Sequence, residues 1–536
     1  MHLKRIVIQG FKALREFEME LGEHLNVIVG DNETGKTTVL EAVNLALTCQ
    51  MGGRAVQYDL DPYYFNAGMV EEYFKQLRAG EHPSPPRILI EAYLDDDGEH
   101  CLAKLKGTNN TKNEDCPGLS LSIELNENLA DEFIEYVGKP QYAGLMPIEY
   151  FKVAWRSFAG NEVMARSLPF RATVIDTSLF RAYAGPSKYL AKIISECLDV
   201  SQRISLATEY RRLKQTFTAL PGIKDINKHL EAKKGDITTK ALTVSLDMSA
   251  RSTWDSSVTA HLDDIPFSDV GKGEQCSVQM KLAIESADGS GVLLIEEPEN
   301  HLSHSNMARL IDEVSKKGSG RQILIATHSS FVLNKLGIGN VRLLSKSRRP
   351  MTLTELSKDT ADYFSRLPGY DTLRLLLAER SILVEGPSDE LIVQKAYLVQ
   401  NGKLPLEDRV DVIAVRALAF KRFLEVGAML KLTVSVVTDN DEDVSALKRK
   451  YADYLEGQHP GIRICYDRDE AHPTLEHQLL KANSLKALNR ALGKTYKDDP
   501  SLLAYMTGNK TDYALRLFES SEQLNFPDYI KRAIEA

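Results

Sequence analysis

Apolar positions alternate with polar ones at the start of the chain, where Ile6, Ile8 and Phe11 predict a strand. A compact apolar run, Leu25-Asn26-Val27-Ile28-Val29, follows and stops at Gly30. Beyond Gly35 the spacing turns helical, through Val39, Leu40, Ala42, Val43, Leu45, Ala46 and Leu47. Short apolar runs return at Val292–Ile295, Gln322–Thr327, Ile382–Val384, Val410–Val415 and Val434–Thr438. Helical spacing through Phe420, Phe423, Leu424, Ala428 and Leu430 separates the last two. Apolar strands divided by helices predict an α/β chain with parallel sheets. Residues 187–217 carry another helical pattern through Leu190, Ile193, Ile194, Leu198, Ile204, Leu206 and Leu213. That spacing fits either a buried helix face or a hairpin that dimerises.

A length of 536 residues predicts more than one domain. Apolar content of 43% and charged content of 26% are those of a soluble globular protein. No apolar run is long enough to span a bilayer and no signal peptide opens the chain, so the expectation is a cytoplasmic protein without a membrane partner. The six cysteines are scattered, which fits a reducing compartment and argues against a zinc site. A net charge of −9 confines any nucleic-acid contact to local patches. The candidates are Arg342 to Arg349, Arg211-Arg212-Leu213-Lys214 and Lys448-Arg449-Lys450.

Two groups of residues carry chemistry. The first opens with Gly30-Asp31-Asn32-Glu33-Thr34-Gly35-Lys36-Thr37, a phosphate-binding loop between a strand and a helix. Its glycines let backbone amides turn around phosphate oxygens, with Gly30, Asn32, Gly35 and Thr38 in the cradle. Lys36 is expected to reach the β- and γ-phosphates of ATP, and Thr37 to ligate Mg²⁺ or Mn²⁺. Far downstream Val292-Leu293-Leu294-Ile295-Glu296-Glu297 is a strand ending in acids. Glu296 is expected to hold the metal shell and Glu297 to polarise the attacking water. His328, after the strand Gln322–Thr327, is placed to sense the γ-phosphate. Gly271-Lys272-Gly273-Glu274-Gln275 opens a helix whose amides suit a phosphate; Gly271, Gly273, Glu274 and Gln275 are its nucleotide-binding candidates.

The second group follows residue 380. Glu385 ends one strand, Asp389 stands one turn into the next helix, and Asp439 and Asp441 follow a later strand. Alternation on an extended chain would put Asp439 and Asp441 on one face. A parallel sheet brings such strand ends together, and converging carboxylates suit one or two hard divalent cations. Glu476 offers a fifth acid, and Lys510 a cation for transition-state charge.

The order of motifs in the first half resembles the ABC-type ATPase heads of the RecF, Rad50 and SMC group. In such heads the Gly-rich segment of one subunit closes on ATP held by another, which implies a homodimer or a tetramer. The gap between the phosphate-binding loop and the strand ending in Glu296 and Glu297 holds no long heptad coiled coil, which argues against Rad50 or SMC proper. The second half resembles a Toprim domain, a Rossmann-like parallel sheet. A head followed by Toprim is the arrangement of the OLD (overcoming lysogenization defect) family, which includes the Gabija nuclease subunit and effectors encoded beside some retron reverse transcriptases. The strings VEGPSDE, VTDND and IEEPE are close to what that family carries. The expected domains are an ATPase N-terminal lobe over 1–180, a helical insertion over 181–240, a C-terminal lobe over 241–377 and Toprim over 378–536.

The resemblance implies DNA cleavage with two divalent metals held by Glu385, Asp389, Asp439, Asp441 and Glu476. It also implies an anti-phage setting, with a helicase or a reverse transcriptase and its retron nucleic acid as partners. Leu302-Ser303-His304 departs from the family, in which a histidine directly follows the leucine. The competing reading is a DNA-repair ATPase whose Toprim part only docks DNA or a partner. A topoisomerase or primase would need a further domain, for which no room is left beyond residue 380.

Overall fold

The computed structural model describes residues 2–31, 34–52, 54–95, 100–138, 144–164, 167–168, 172–176, 198–232, 242–247, 254, 257–286, 291–300, 305, 309, 321–329, 332, 336, 338–344, 350–352, 356–366, 374–376, 378–415, 419–455 and 457–535. By internal contacts the chain falls into two units. One comprises Met1–Glu16, Glu20–Leu25 and Thr37–Ala326; the other comprises Phe17–Met19, Asn26–Lys36 and Thr327–Ala536.

In the first unit an antiparallel sheet joins Leu3–Phe11, Ile88–Leu94, Cys116–Leu125 and Phe151–Ser157 in that order. Ile6 pairs with Ala92, and Ile8 with Ile90. The predicted helix runs from Lys36 to Thr48, and Val39, Leu40, Ala42, Val43, Leu45, Ala46 and Leu47 are all buried. Trp155 Nε1 donates to Ala46 O at 2.9 Å, which ties this helix to the antiparallel sheet. Three further strands, Ala172–Asp176, Val292–Glu296 and Gln322–Thr327, run parallel, with Glu296 opposite both Asp176 and Ala326. Apolar on nearly every residue, the last two read as strands buried on both faces.

The described part of the 187–217 pattern is the helix Val200–Thr218, followed by Pro221–Glu231. Asp199 and Gln202 form a capping box at its start, and Pro221 opens the second helix. Val200, Ile204 and Leu213 are 67%, 61% and 65% exposed, so this helix does not bury its apolar residues within the chain. Leu190, Ile193 and Ile194 lie outside the described residues.

In the second unit the phosphate-loop strand Leu25–Gly30 runs parallel to Val341–Leu344, and Pro350–Thr352 pairs antiparallel with the latter. Beyond residue 380 four strands form a parallel sheet in the order Val410–Ala414, Arg380–Val384, Thr433–Val437, Ile462–Cys465. The chain builds first on one side of the Arg380–Val384 strand and then on the other. That reversal opens a crevice beyond the carboxyl ends of Arg380–Val384 and Thr433–Val437, where ligands bind in open parallel sheets. The strand spacings of the sequence are met to within about two residues. The helix that carries Asp389 runs from Pro387 to Asn401, with Asp389 in its first turn, because Pro387 suits the first helical position.

The helices Asp499–Gly508, Lys510–Glu519 and Asp528–Glu535 fold back onto this sheet. Leu502, Met506, Tyr513, Leu517, Tyr529 and Ile530 enter the same core as Ile382, Val384 and Ile392. Arg380 donates to the carbonyls of Ala533 and Ile534, closing the last helix on the first strand.

The segment before residue 378 is also pinned to this sheet's helices. Glu425 accepts from Ser357 N and from the hydroxyls of Ser357 and Thr360 at the start of helix Lys358–Arg366. Phe364 meets Phe423 edge-on at 5.1 Å, and the Arg374 guanidinium grips both oxygens of Asp411.

Candidate active sites: a carboxylate crevice and a phosphate loop

All five predicted acids act on one another electrostatically at the crevice. Glu385 leaves the first strand, and its Oε1 accepts from Thr438 Oγ1 at 2.7 Å and Asp439 N at 3.1 Å. The end of the third strand is thereby fastened to the end of the first. Asp389 lies in the first turn of Pro387–Asn401. Burial, the Glu385 charge and the Glu476 charge push its carboxyl up to about 7. Asp439 is pushed up to about 9 by burial, then by Glu385, Asp389, Glu476 and Asp441. Burial and like charge both disfavour ionisation, and here they act together.

Glu476 is 2% exposed in the helix Leu475–Ala482. It accepts from Thr474 Oγ1 at 2.7 Å and from Tyr513 Oη at 3.3 Å, with Lys510 Nζ at 3.7 Å. Lys510 itself is exposed. Tyr529, fully buried near Asp439, Asp389 and Glu385, has its phenol held well above the usual range by burial and then by these charges. Spacing gave no signal for Tyr513 or Tyr529, because they come from helices more than seventy residues past the DxD string.

The expected extended run through Asp439 and Asp441 does not occur. The strand stops at Val437, and Asp441 and Glu442 take left-handed backbone angles, φ 47° and 65°. Asn440 explains the bend. Its amide donates to Asp467 O at 3.1 Å and Asp469 O at 3.0 Å, its N–H to Pro473 O, and its Oδ1 accepts from Glu442 N. Asp441 is therefore exposed at a turn, not aligned with Asp439 along a strand.

The acids do not close to coordination distance: among the described residues no group of three or more His, Cys, Asp or Glu is arranged to hold a metal ion. Their chemistry nevertheless fits a hard cation. Carboxylates forced together at low dielectric are relieved either by protons, as the raised Asp389 and Asp439 indicate, or by divalent positive charge.

The phosphate loop is built differently. Lys36 Nζ donates to Gly30 O at 2.8 Å and Asp31 O at 2.9 Å, and Thr34 Oγ1 donates to Asp31 O. Gly30 has no room for a side chain: a Cβ would stand 2.5 Å from Thr34 Oγ1 and 2.7 Å from Leu344 O. Gly35 has φ 99°, a value that favours glycine. Asn32 lies outside the described residues. Thr37 Oγ1 donates to the Glu296 carboxylate, so the hydroxyl and carboxylate expected to share a Mg²⁺ shell do converge. Glu297 follows at φ 41°, its N–H on Ala326 O and its Oε2 accepting from Asn300 Nδ2 at 2.8 Å. Left-handed backbone on a non-glycine residue costs energy and recurs at functional sites.

His328 is exposed just past Gln322–Thr327, and Thr38 is buried at the helix start. Gly271 and Glu274 are exposed and Gly273 is partly exposed at the start of Lys272–Ser286. Gln275 departs from expectation. It is 7% exposed, and its amide is spent on the carbonyls of Phe267, Ser268 and Val270, so it shapes the Gly-rich turn from beneath. Two of the three candidate basic patches lose members to the interior: Arg342 is buried, and buried Lys214 donates to Asp247 O. Lys448, Arg449 and Lys450 are exposed.

Comparison with known proteins agrees with this division. Models described as AAA domain match residues 5–134, and as AAA domain, putative AbiEii toxin, residues 209–334. The model described as overcoming lysogenization defect protein-like TOPRIM domain matches residues 376–441. The OLD nuclease of Thermus scotoductus is 24% identical over 474 residues, 82% of each chain. The RecF replication and repair protein of Actinobacillus pleuropneumoniae is 30% identical over 76 residues, 13% of this chain and 21% of RecF. A solved RecF structure with bound nucleotide aligns over 66% of this chain and 98% of its own, at 11% identity and TM-score 0.34. The chain thus joins regions similar to AAA-type ATPase domains to a region similar to a TOPRIM domain. In that order and in that span of similarity the chain resembles the OLD nuclease.

Proposed function

We propose that the chain is an ATP-binding, metal-dependent DNA nuclease of the anti-phage kind, working in the cytoplasm. The observation that carries this reading is the crowding of Glu385, Asp389, Asp439 and Glu476 at the switch crevice, with Asp439 pushed up to about 9. A purely DNA-docking domain gains nothing from burying acids against a polyanion. Glu385, Asp389, Asp439, Asp441 and Glu476 would hold two divalent ions, Mg²⁺ or Mn²⁺. When bound, such ions supply a nucleophile at neutral pH and neutralise charge on a phosphodiester. Thr438 and the Asp439 N–H orient Glu385 for that task, and Thr474 and Tyr513 orient Glu476. Lys510, beside Glu476, stands ready to offset charge on a leaving oxygen.

In the ATPase part Lys36 would exchange its carbonyl partners for the β- and γ-phosphates. Thr37 and Glu296 would share Mg²⁺, and Glu297 would accept the proton of the attacking water. The exposed start of Lys272–Ser286 suits the phosphate of a second copy. The exposed apolar residues of Val200–Thr218 suit a homodimer or tetramer, so light scattering should find no monomer at micromolar concentration. A helicase or reverse-transcriptase partner would follow from the gene's neighbours.

The deciding experiment is incubation with supercoiled plasmid and Mg²⁺ or Mn²⁺, with and without ATP. Parent protein should nick or linearise the plasmid, and Asp439→Ala protein should not. Equal cutting by the two would place the active centre elsewhere.

A further inference from the structure

Between Lys481 and Lys497 the chain carries five basic residues and no acidic one, against a net charge of −9 for the whole. Lys481 is taken up by Asp469 at 2.7 Å. Lys486, Arg490, Lys494 and Lys497 make no ion pair among the described residues. Two of these placements are locally unfavourable. Lys486 stands in the first turn of Leu485–Leu492, against the positive end of the helix dipole. Lys486 and Arg490 are four residues apart, so like charges share one helix face. Arrangements that cost local stability without serving the core point to an outside ligand.

Lys486, Arg490 and Lys494 line a wide-open surface cavity of about 530 Å³ together with Asn489 and Tyr496. The cavity is built. Gly493, at φ 63°, turns the chain sharply after the helix, and Lys494 N donates back to Asn489 O. Asn489 then fastens Tyr496 through both of its backbone groups, at 2.9 Å each. Tyr496 stacks on Tyr505 with ring centres 5.5 Å apart and planes at 28°, and Lys494 Nζ lies 4.7 Å from the Tyr505 ring centre. The nearby acid, Asp512, is hydrogen-bonded by Arg516 and by the Tyr505 hydroxyl, with Lys494 adding a weaker charge interaction. Cations beside an anchored aromatic pair are what a single nucleic-acid strand meets on its binding proteins.

We propose that this cavity holds a single nucleic-acid strand, with phosphates on Lys486, Arg490 and Lys494 and a base against Tyr496. The inference rests on the nuclease reading of the crevice for its purpose. The helix that carries Lys486 and Arg490 packs against Lys510–Glu519, whose first residue is the cation beside Glu476. The cavity would therefore retain one strand of a substrate whose phosphodiester lies among the carboxylates.

The test is fluorescence anisotropy of full-length protein with a labelled 15-nucleotide oligothymidine in EDTA, where no cleavage is needed. The probes are the same oligonucleotide, its abasic counterpart and a duplex. Lys486→Gln/Arg490→Gln/Lys494→Gln should lower affinity at least tenfold and reduce the slope of log affinity against log salt by about 2, three phosphate contacts at roughly 0.7 each. Tyr496→Leu should lower affinity for oligothymidine about fivefold or more, and leave the abasic strand unchanged. ATP hydrolysis should stay at its parental value in all variants, and the melting temperature of the triple variant should not fall. Unchanged affinity and salt slope in the triple variant overturns the proposal. Equal binding of the abasic strand by parent protein removes the base from Tyr496 and overturns it equally. A charge-dependent strand affinity in a protein that never cuts DNA would instead discard the nuclease reading and leave this site standing.

Discussion

The two sites solve opposite electrostatic problems. At the phosphate loop the charged groups are satisfied by the chain itself: Lys36 rests on two carbonyls, and Thr37 donates to Glu296. Such a site can exchange internal bonds for ligand bonds at little cost, because the ligand replaces partners of similar strength. At the crevice the acids repel one another, and protons are the chain's own relief, as Asp389 near 7 and Asp439 near 9 indicate. Such a site gains most from cations. The ATPase part is thus disposed to cycle, and the Toprim part to wait for charge.

If the contrast holds, loss of one acid silences the crevice without touching nucleotide. Glu385→Ala removes both the charge and the acceptor that fastens Asp439. DNA cleavage should fall by roughly 10²–10³-fold or more, the scale for losing one preorganised electrostatic group. Nucleotide affinity, read by fluorescence titration, should remain parental. A Glu385→Ala protein that cuts at the parental rate would remove the crevice from the chemistry.

The next effect separates binding from hydrolysis at the other site. Glu297→Gln keeps size and the contact to Asn300 but cannot accept a proton. Steady-state ATP hydrolysis should slow by about 10²-fold or more while nucleotide still binds. Parental turnover would reassign the strained residue after the Val292–Glu296 strand to a structural turn. Lys36→Ala should act more weakly and on binding. Loss of a charge-assisted contact costs about 1.5–3 kcal/mol, or roughly ten- to 150-fold in nucleotide affinity. The internal bonds to Gly30 and Asp31 also vanish, so a loss under threefold would mean the lysine never leaves those carbonyls.

How much of this was legible in the sequence depended on distance along the chain. Strand, loop and helix around Lys36 are local, and the glycine spacing dictates them. The parallel strands that lead to Glu296, Glu385 and Asp439 were legible because buried parallel strands are uniformly apolar. The bend at Asp441 was not, because it follows from Asn440 bonding to carbonyls some thirty residues ahead, a contact that no periodicity encodes. Gln275 misled for the same reason: a polar residue in a Gly-rich turn reads as a ligand contact until its carbonyl partners are known. Lys486, Arg490 and Lys494 went unsingled because their spacing is ordinary for a surface helix, and only the fold adds the tyrosines.

The smallest expected effect concerns the join ahead of the crevice. Glu425 caps the start of Lys358–Arg366 by accepting from Ser357 and Thr360, so a residue of the Toprim helix Phe420–Met429 closes the preceding helix. Burial pushes the Glu425 carboxyl up, but the hydrogen bonds from Thr360 and Ser357 outweigh it and the net shift is downward. A glutamate held below its ordinary value of about 4.3 stabilises the fold above that value, and the contribution is lost as pH falls through its lowered folded value. Glu425→Ala should therefore cost about 1 kcal/mol at pH 7, the usual worth of a cap. The difference between variant and parent should shrink in acid, as denaturant titrations at pH 7 and at successively lower pH can follow. DNA cleavage and ATP hydrolysis, each measured alone, should be unchanged. A loss of several kcal/mol, or a difference that ignores pH, would mean that Glu425 supports the fold by packing and not by its charge.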